Sequence, residues 1–188
     1  MIRKAIITAT ALLVTTQTAP ALALDQAMES KIRALYQQKE ETLTGETINI
    51  EKAVAEAETH NADDAVFINR LKNMSTGQMT SNEMDKDDLV SQIPDVYGKT
   101  RNSEADIEIL EIKDGSAPDE AMVTYSMNYD ATIQQKDDYS RIIKSDMKLV
   151  SQCTDTMRLN AQGVIQTTRS ECDGALQHTQ PQIINPAP

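Results

Sequence analysis

Two successive stretches of this chain alternate apolar and polar residues over lengths that leave little choice of fold. Ala121, Val123, Tyr125, Met127, Tyr129, Ala131 and Ile133 take one parity, and Met122, Thr124, Ser126, Asn128, Asp130 and Thr132 take the other. A period of two sustained that long predicts a half-buried strand with one face for a core. Gln135-Lys136-Asp137-Asp138 predicts a turn, after which Ile143, Met147, Leu149, Cys153, Met157 and Leu159 keep one parity through a second long strand. Asn160-Ala161-Gln162-Gly163 reads as a hairpin turn with Gly placed for positive φ, and Val164 to Cys172 closes the sheet. Connections this short force antiparallel neighbours, because a parallel crossover needs about a dozen residues or more.

The segments before this sheet carry a different period. Leu24, Met28, Ile32, Leu35 or Tyr36, and Leu43 recur near a 3.6 spacing, which predicts a helix from Asp25 to Leu43 with Asp25 as its cap and Gly45 just past its end. A second helix is expected from about Ile50 to Thr59, with Ala53, Val54 and Ala57 on one face. His60-Asn61-Ala62-Asp63-Asp64 reads as a polar turn. Ala65-Val66-Phe67-Ile68 reads as a short strand, and Met74 to Asn82 as a weak returning one. Asp85 or Asp87 caps a third helix through Leu89, Val90 and Ile93, which Pro94 is expected to stop. Ile107, Ile109, Leu110 and Ile112 form the first strand of the main sheet, and the phase break between Ile109 and Leu110 predicts a bulge.

The first residues read as an export signal. Met1-Ile2-Arg3-Lys4 is a short basic start, Ala5 to Val14 is mostly apolar, and Ala21-Leu22-Ala23 has the small-residue form that signal peptidase cuts. This divides the chain into a signal peptide over 1–23, an α+β domain over 24–174, and a disordered polar tail over 175–188, with a periplasmic or secreted location after cleavage following Ala23.

Charge excludes several partners. The balance is 18 Lys+Arg against 29 Asp+Glu, a net −11, which argues against nucleic acid, since phosphate contacts need clustered Lys and Arg. It equally disfavours anionic lipid. No apolar run reaches the length of a membrane span, and no phosphate-loop, dinucleotide, zinc-protease or CxxC signature occurs. Asp85-Lys86-Asp87-Asp88 offers hard oxygens but lacks the Gly and distal Glu of a calcium loop. Neither a metal nor a cofactor is expected.

Two Cys in an exported chain favour a disulfide, and Cys153 and Cys172 lie on strands joined by one hairpin. If Asn160 sits opposite Val164, the register places Cys153 across from Glu171, so the bridge to Cys172 requires one bulge or slip.

The helical start, the H-x-x-D-D-A-x-F segment (His60, Asp63, Asp64, Ala65, Phe67), the M-D-K-D-D-L helix start and the I-E-I-L-E-I and Y-S-M-N-Y strands together resemble the NTF2-like superfamily. That group includes SnoaL-like proteins and the ketosteroid isomerase and scytalone dehydratase types. The resemblance spans about Asp25 to Cys172 and implies a cone in which N-terminal helices pack on a long curved antiparallel sheet and leave a pocket at the wide end. It also implies that Asp63 or Asp64 would serve as proton-abstracting base and Tyr36 as oxyanion donor if the chain is a cofactor-free isomerase, dehydratase or cyclase. The other reading is a non-enzymatic module that binds a small ligand or a protein partner, with homodimerisation through the open sheet face. The scarcity of aromatics, one Phe and five Tyr with no Trp, favours the second. In either case strand parity points Tyr125, Met127, Tyr129 and Met147 toward the pocket.

Overall fold

The computed structural model describes residues 26–137 and 139–184. The export signal with its Ala23 cleavage site, the Asp25 cap and the last four residues of the tail lie outside that range. Three helices and seven strands follow in the order α1 (Gln26–Leu43), α2 (Ile50–His60), β1 (Asn61–Asn73), β2 (Met79–Asp85), α3 (Lys86–Tyr97), β3 (Thr100–Asp114), β4 (Glu120–Lys136), β5 (Ile142–Leu159), β6 (Ile165–His178) and β7 (Gln182–Ile184). The sheet order is β2-β1-β6-β5-β4-β3, with β7 also on β5. The consecutive strands β3 to β6 are antiparallel, as their short connections require. The β1–β6 pairing is parallel, made possible by the long intervening chain.

The alternation that predicted β4 and β5 sets the core. Ala121, Val123 and Tyr125 on β4, Cys153 and Met157 on β5, and Ile165 on β6 bury against Met28, Ile32, Leu35 and Tyr36 of α1. Helix α1 also closes the sheet edge. The Glu40 carboxylate accepts from the Ile107 amide at 3.0 Å and the Thr44 hydroxyl from the Ala105 amide at 3.1 Å. Those β3 amides would otherwise be unpaired edge donors. The expected bulge is present: Ile109 faces Tyr125 and Glu111 faces Thr124, so Leu110 is the extra residue. A second β3 irregularity puts Asn102 at φ 48°. Its amide donates to the Glu46 carbonyl at 3.0 Å, which fastens the α1–α2 loop to the sheet.

The β5–β6 hairpin turns with Gly163 at φ 74°, while Asn160 Oδ1 accepts from the amides of Gln162 and Val164. Leu159 pairs with Ile165 and Met157 with Thr167, but Thr156 pairs with Arg169, leaving Thr168 unopposed. That single bulge shifts the register by one and brings Cys153 directly opposite Cys172, where they are bridged with Cα atoms 4.1 Å apart.

Three boundaries differ from expectation. The segment expected to turn at His60–Asp64 instead ends α2 at His60 and opens β1 at Asn61. That is because Asn61 already pairs with Thr167 of β6, and the extra residues are taken up in a bulge before Val66, where pairing with β2 and β6 sets in. Helix α3 runs through Pro94 to Tyr97. The packing of Ile93 and Tyr97 on Ile48, Ala53 and Ala57 outweighs the one helical hydrogen bond that proline forfeits. Past Gly174 the chain extends β6 to His178 and, after a three-residue connection, forms β7 over Gln182–Ile184, so most of the described part of the stretch expected as disordered tail is strand. Backbone pairing there is indifferent to polar side chains: the Thr179 amide donates to the Asp146 carbonyl at 2.9 Å, and β7 pairs Ile142–Lys144.

Asp85 does cap α3, accepting from the Asp88 amide at 2.8 Å. Asp85→Ala should therefore lower stability by about 1 kcal/mol, measured by urea unfolding. An unchanged midpoint would show that the cap contributes nothing.

Candidate functional site

Between the helices and the concave sheet face lies a cavity of about 260 Å³. Helix α1 contributes Leu35, Lys39, Thr42 and Leu43; α2 contributes Ala53, Glu56, Ala57 and His60; α3 contributes Leu89, Ile93 and Tyr97. The sheet adds Phe67, Ile107, Tyr125 and Met127, together with a polar set of Asn61, Asp155, Thr167 and Ser170. Three of the chain's six aromatic side chains line this space, so the low aromatic content conceals a local concentration.

Asp155 is the centre of the polar set. It is 1% exposed and occupies an inward position of β5 between Cys153 and Met157. Its Oδ2 accepts a 2.6 Å hydrogen bond from the Tyr36 hydroxyl, and Lys39 Nζ stands 3.6 Å from the same oxygen. Its Oδ1 has no hydrogen-bond partner among the described residues, nor does the hydroxyl of Thr167, also 1% exposed. The Tyr36 and Tyr125 rings pack at 4.7 Å between centroids, inclined by 57°, and Lys39 Nζ lies 4.8 Å from the Tyr36 centroid. His60 Nδ1 is 3.1 Å from the Ile165 carbonyl. A carbonyl can only accept, so that nitrogen carries the proton and, in the neutral ring, Nε2 keeps its lone pair. Glu56 is already engaged, accepting from Gln38 and Thr42 at 2.8 Å each.

The residues expected to act distribute unequally. Tyr125 and Met127 line the cavity, and Tyr36 lies behind the wall, bonded to the lining residue Asp155. Tyr129 and Met147 pack instead with Ala105, Ala131, Leu43 and Leu149 in a separate cluster. Asp63 and Asp64 do not approach Tyr36. Between Asn61 and Val66 the strand carries extra residues relative to β6. Ala62 and Ala65 turn inward there, and the two carboxylates turn out, with side chains 100% and 73% exposed. They pair with Lys86 at 2.8 Å and Arg158 at 3.1 Å. The Lys86 hydrogen bond, then its charge, holds Asp63 below the usual carboxylate range, opposite to the poise a general base needs. Among the described residues, no three His, Cys, Asp or Glu side chains cluster to hold a metal, and no helix is long and apolar enough to cross a membrane.

The tyrosines of the site are held as phenols. Burial, followed by the Asp155 charge, raises Tyr36 and Tyr125 well above the ordinary value. Burial pushes Tyr97 up to about 12 and also raises Tyr129. A phenol raised by folding contributes stability that is fully present below the unfolded value near 10. That stability is lost as pH climbs through it toward the raised ones. Four of the five tyrosines should therefore show no phenolate absorbance until the fold opens, with circular dichroism lost in the same pH interval. Normal titration of all five near pH 10 in folded protein would contradict the burial.

No family sequence model matches the chain, and no curated protein matches it by sequence. Solved structures do match. A conserved protein from Planctomyces limnophilus superimposes with a TM-score of 0.58 at 15% identity, over 83% of this chain and 98% of that one. A scytalone dehydratase-like protein from Novosphingobium aromaticivorans gives 0.54 at 14%, over 86% and 90%. A cystatin-like-fold protein from Nostoc punctiforme gives 0.50 at 13%, over 81% and 94%. The chain has the NTF2-like α+β cone fold. At these identities the likeness is one of fold; what the cavity does must come from its own residues.

Proposed function

We propose that this is an exported binding module whose cavity takes a small, largely apolar organic molecule. The observation that carries the reading is the cavity itself: about 260 Å³, walled mainly by aliphatic and aromatic side chains, with polar groups from both the helices and the sheet set among them. That is the usual make-up of a small-molecule site, and the volume corresponds to roughly nine waters at ~30 Å³ each. Export is supported by the basic, apolar and small-residue order of the first 23 residues and by the Cys153–Cys172 bridge, since disulfides persist in oxidising compartments. Benzene or indole added to the protein should raise the melting temperature progressively with concentration. Phe67→Trp, which fills the space, should abolish that rise. A melting temperature indifferent to both probes would defeat the reading.

One observation favours a second, catalytic reading. A carboxylate and a tyrosine do meet at the cavity, but the carboxylate is Asp155 and neither Asp63 nor Asp64. In a cofactor-free proton transfer its free Oδ1 would accept the proton. Substrate turnover that survives Asp63→Asn with Asp64→Asn and is lost in Asp155→Asn would establish it.

A further inference from the structure

We infer that the cavity selects organic amines, binding the protonated nitrogen at Asp155 Oδ1 with the apolar body against Phe67, Tyr97 and Tyr125. This rests on the small-molecule reading above and narrows it.

Some polar groups around the cavity are already spent. The Tyr36 hydroxyl has one proton, and it is directed at Asp155 Oδ2 at 2.6 Å. A ligand carbonyl or carboxylate seeking a donor finds that one taken. What the described residues leave without a partner is an acceptor, buried in the cavity wall. Asp155 lines the cavity, is 1% exposed, and its Oδ1 has no hydrogen-bond partner among the described residues. A buried carboxylate oxygen without a donor is costly, and the cost is removed by a group that brings a proton. The nearby Thr167 hydroxyl, equally buried and unpartnered, can act as donor or acceptor, so it adds a second polar contact without fixing the sign.

Charge then chooses among donors. The lining holds Asp155 and Glu56 against Lys39. Lys39 lies on the Oδ2 side at 3.6 Å, beyond hydrogen-bond length. Glu56 is already met by Lys52 at 3.7 Å, so the carboxylate left with an unpartnered oxygen is Asp155. An anion could turn only to Lys39, itself drawn toward Asp155 Oδ2. An ammonium would form a charge-assisted bond to Oδ1, stronger than a neutral hydroxyl could make, and the faces of the lining aromatics attract a cation. The space accommodates a body of about nine non-hydrogen atoms, judged at the ~30 Å³ that a water occupies in the liquid.

The test uses three molecules of matched shape: 2-phenylethylamine, 2-phenylethanol and phenylacetate, with benzene as an uncharged control, titrated at pH 7 by calorimetry and by chemical-shift changes. Phenylethylamine should bind about tenfold or more tighter than phenylethanol, as expected for a charge-assisted over a neutral hydrogen bond, and phenylacetate should bind weakest. Asp155→Asn should remove the amine preference while benzene binding persists. Lys39→Met, confirmed as folded by a circular dichroism spectrum like the parent's, should tighten amine binding by freeing Asp155 of its competing cation. Phenylacetate binding as tightly as the amine, or Lys39→Met weakening the amine, would overturn the inference while benzene binding kept the cavity reading alive. Failure of benzene as well would remove both.

Discussion

Reduction of the Cys153–Cys172 bridge should lower the melting temperature by roughly 6–12 °C. The loop it closes spans 19 positions, for which the chain-entropy model assigns about 3 kcal/mol, and a chain of this size loses about 2–4 °C per kcal/mol. The bridge joins the two central long strands directly under α1, where Cys153 is 1% exposed among Met157, Val123 and Tyr125. The loss should therefore be global, seen equally by far-ultraviolet circular dichroism and tyrosine fluorescence. Cys153→Ser with Cys172→Ser should reproduce it. A melting curve identical with and without reductant, after mass spectrometry confirms two free thiols, would show that sheet pairing alone holds this hairpin.

Tyr36→Phe should destabilise the fold by about 1.5–3 kcal/mol, the range for losing a hydrogen bond to a charged group and leaving that group buried. The Asp155 side chain is 2% exposed, so water cannot replace the lost donor without opening the core. Lys39 offers partial compensation at 3.6 Å, which keeps the expected loss below that of an isolated buried charge. Combining Tyr36→Phe with Asp155→Leu should recover most of the stability, because a buried polar pair replaced whole by apolar groups of similar volume is often neutral. Urea unfolding of the two singles and the double gives the coupling directly. A Tyr36→Phe loss below about 0.5 kcal/mol, small against the range for such a bond, would mean that Asp155 finds its proton elsewhere.

Much of the architecture was legible in the sequence because it rests on local periodicity. The parity of Ala121 to Ile133 set which face of β4 is buried, and the same parity rule placed Cys153 and Met157. The phase break at Ile109-Leu110 announced its bulge. The register count from the Asn160–Gly163 turn even required one irregularity before Cys172, and the extra residue is Thr168. Each of these follows from a two-residue repeat and a fixed turn, which act within a few residues of chain.

The sites needed the third dimension. Asp63 and Asp64 are legible as a pair, but only the β1–β6 register decides that the bulge throws them outward to Lys86 and Arg158. Pro94 marks a stop in any isolated helix, and the packing of Ile93 and Tyr97 on α2 carries the helix past it. Asp155 did leave a trace: it is a charged residue on the inward parity of β5, between Cys153 and Met157, and a buried charge is the informative exception in such a stripe. Its partner could not be read that way. Tyr36 lies 119 positions away, and their meeting depends on α1 lying across β5. No local spacing encodes that crossing. Alternation, turns and capping are written into the chain's local order. The packing of one helix on a curved sheet decided which polar atoms are buried, which of them are left without partners, and so where a ligand can be held.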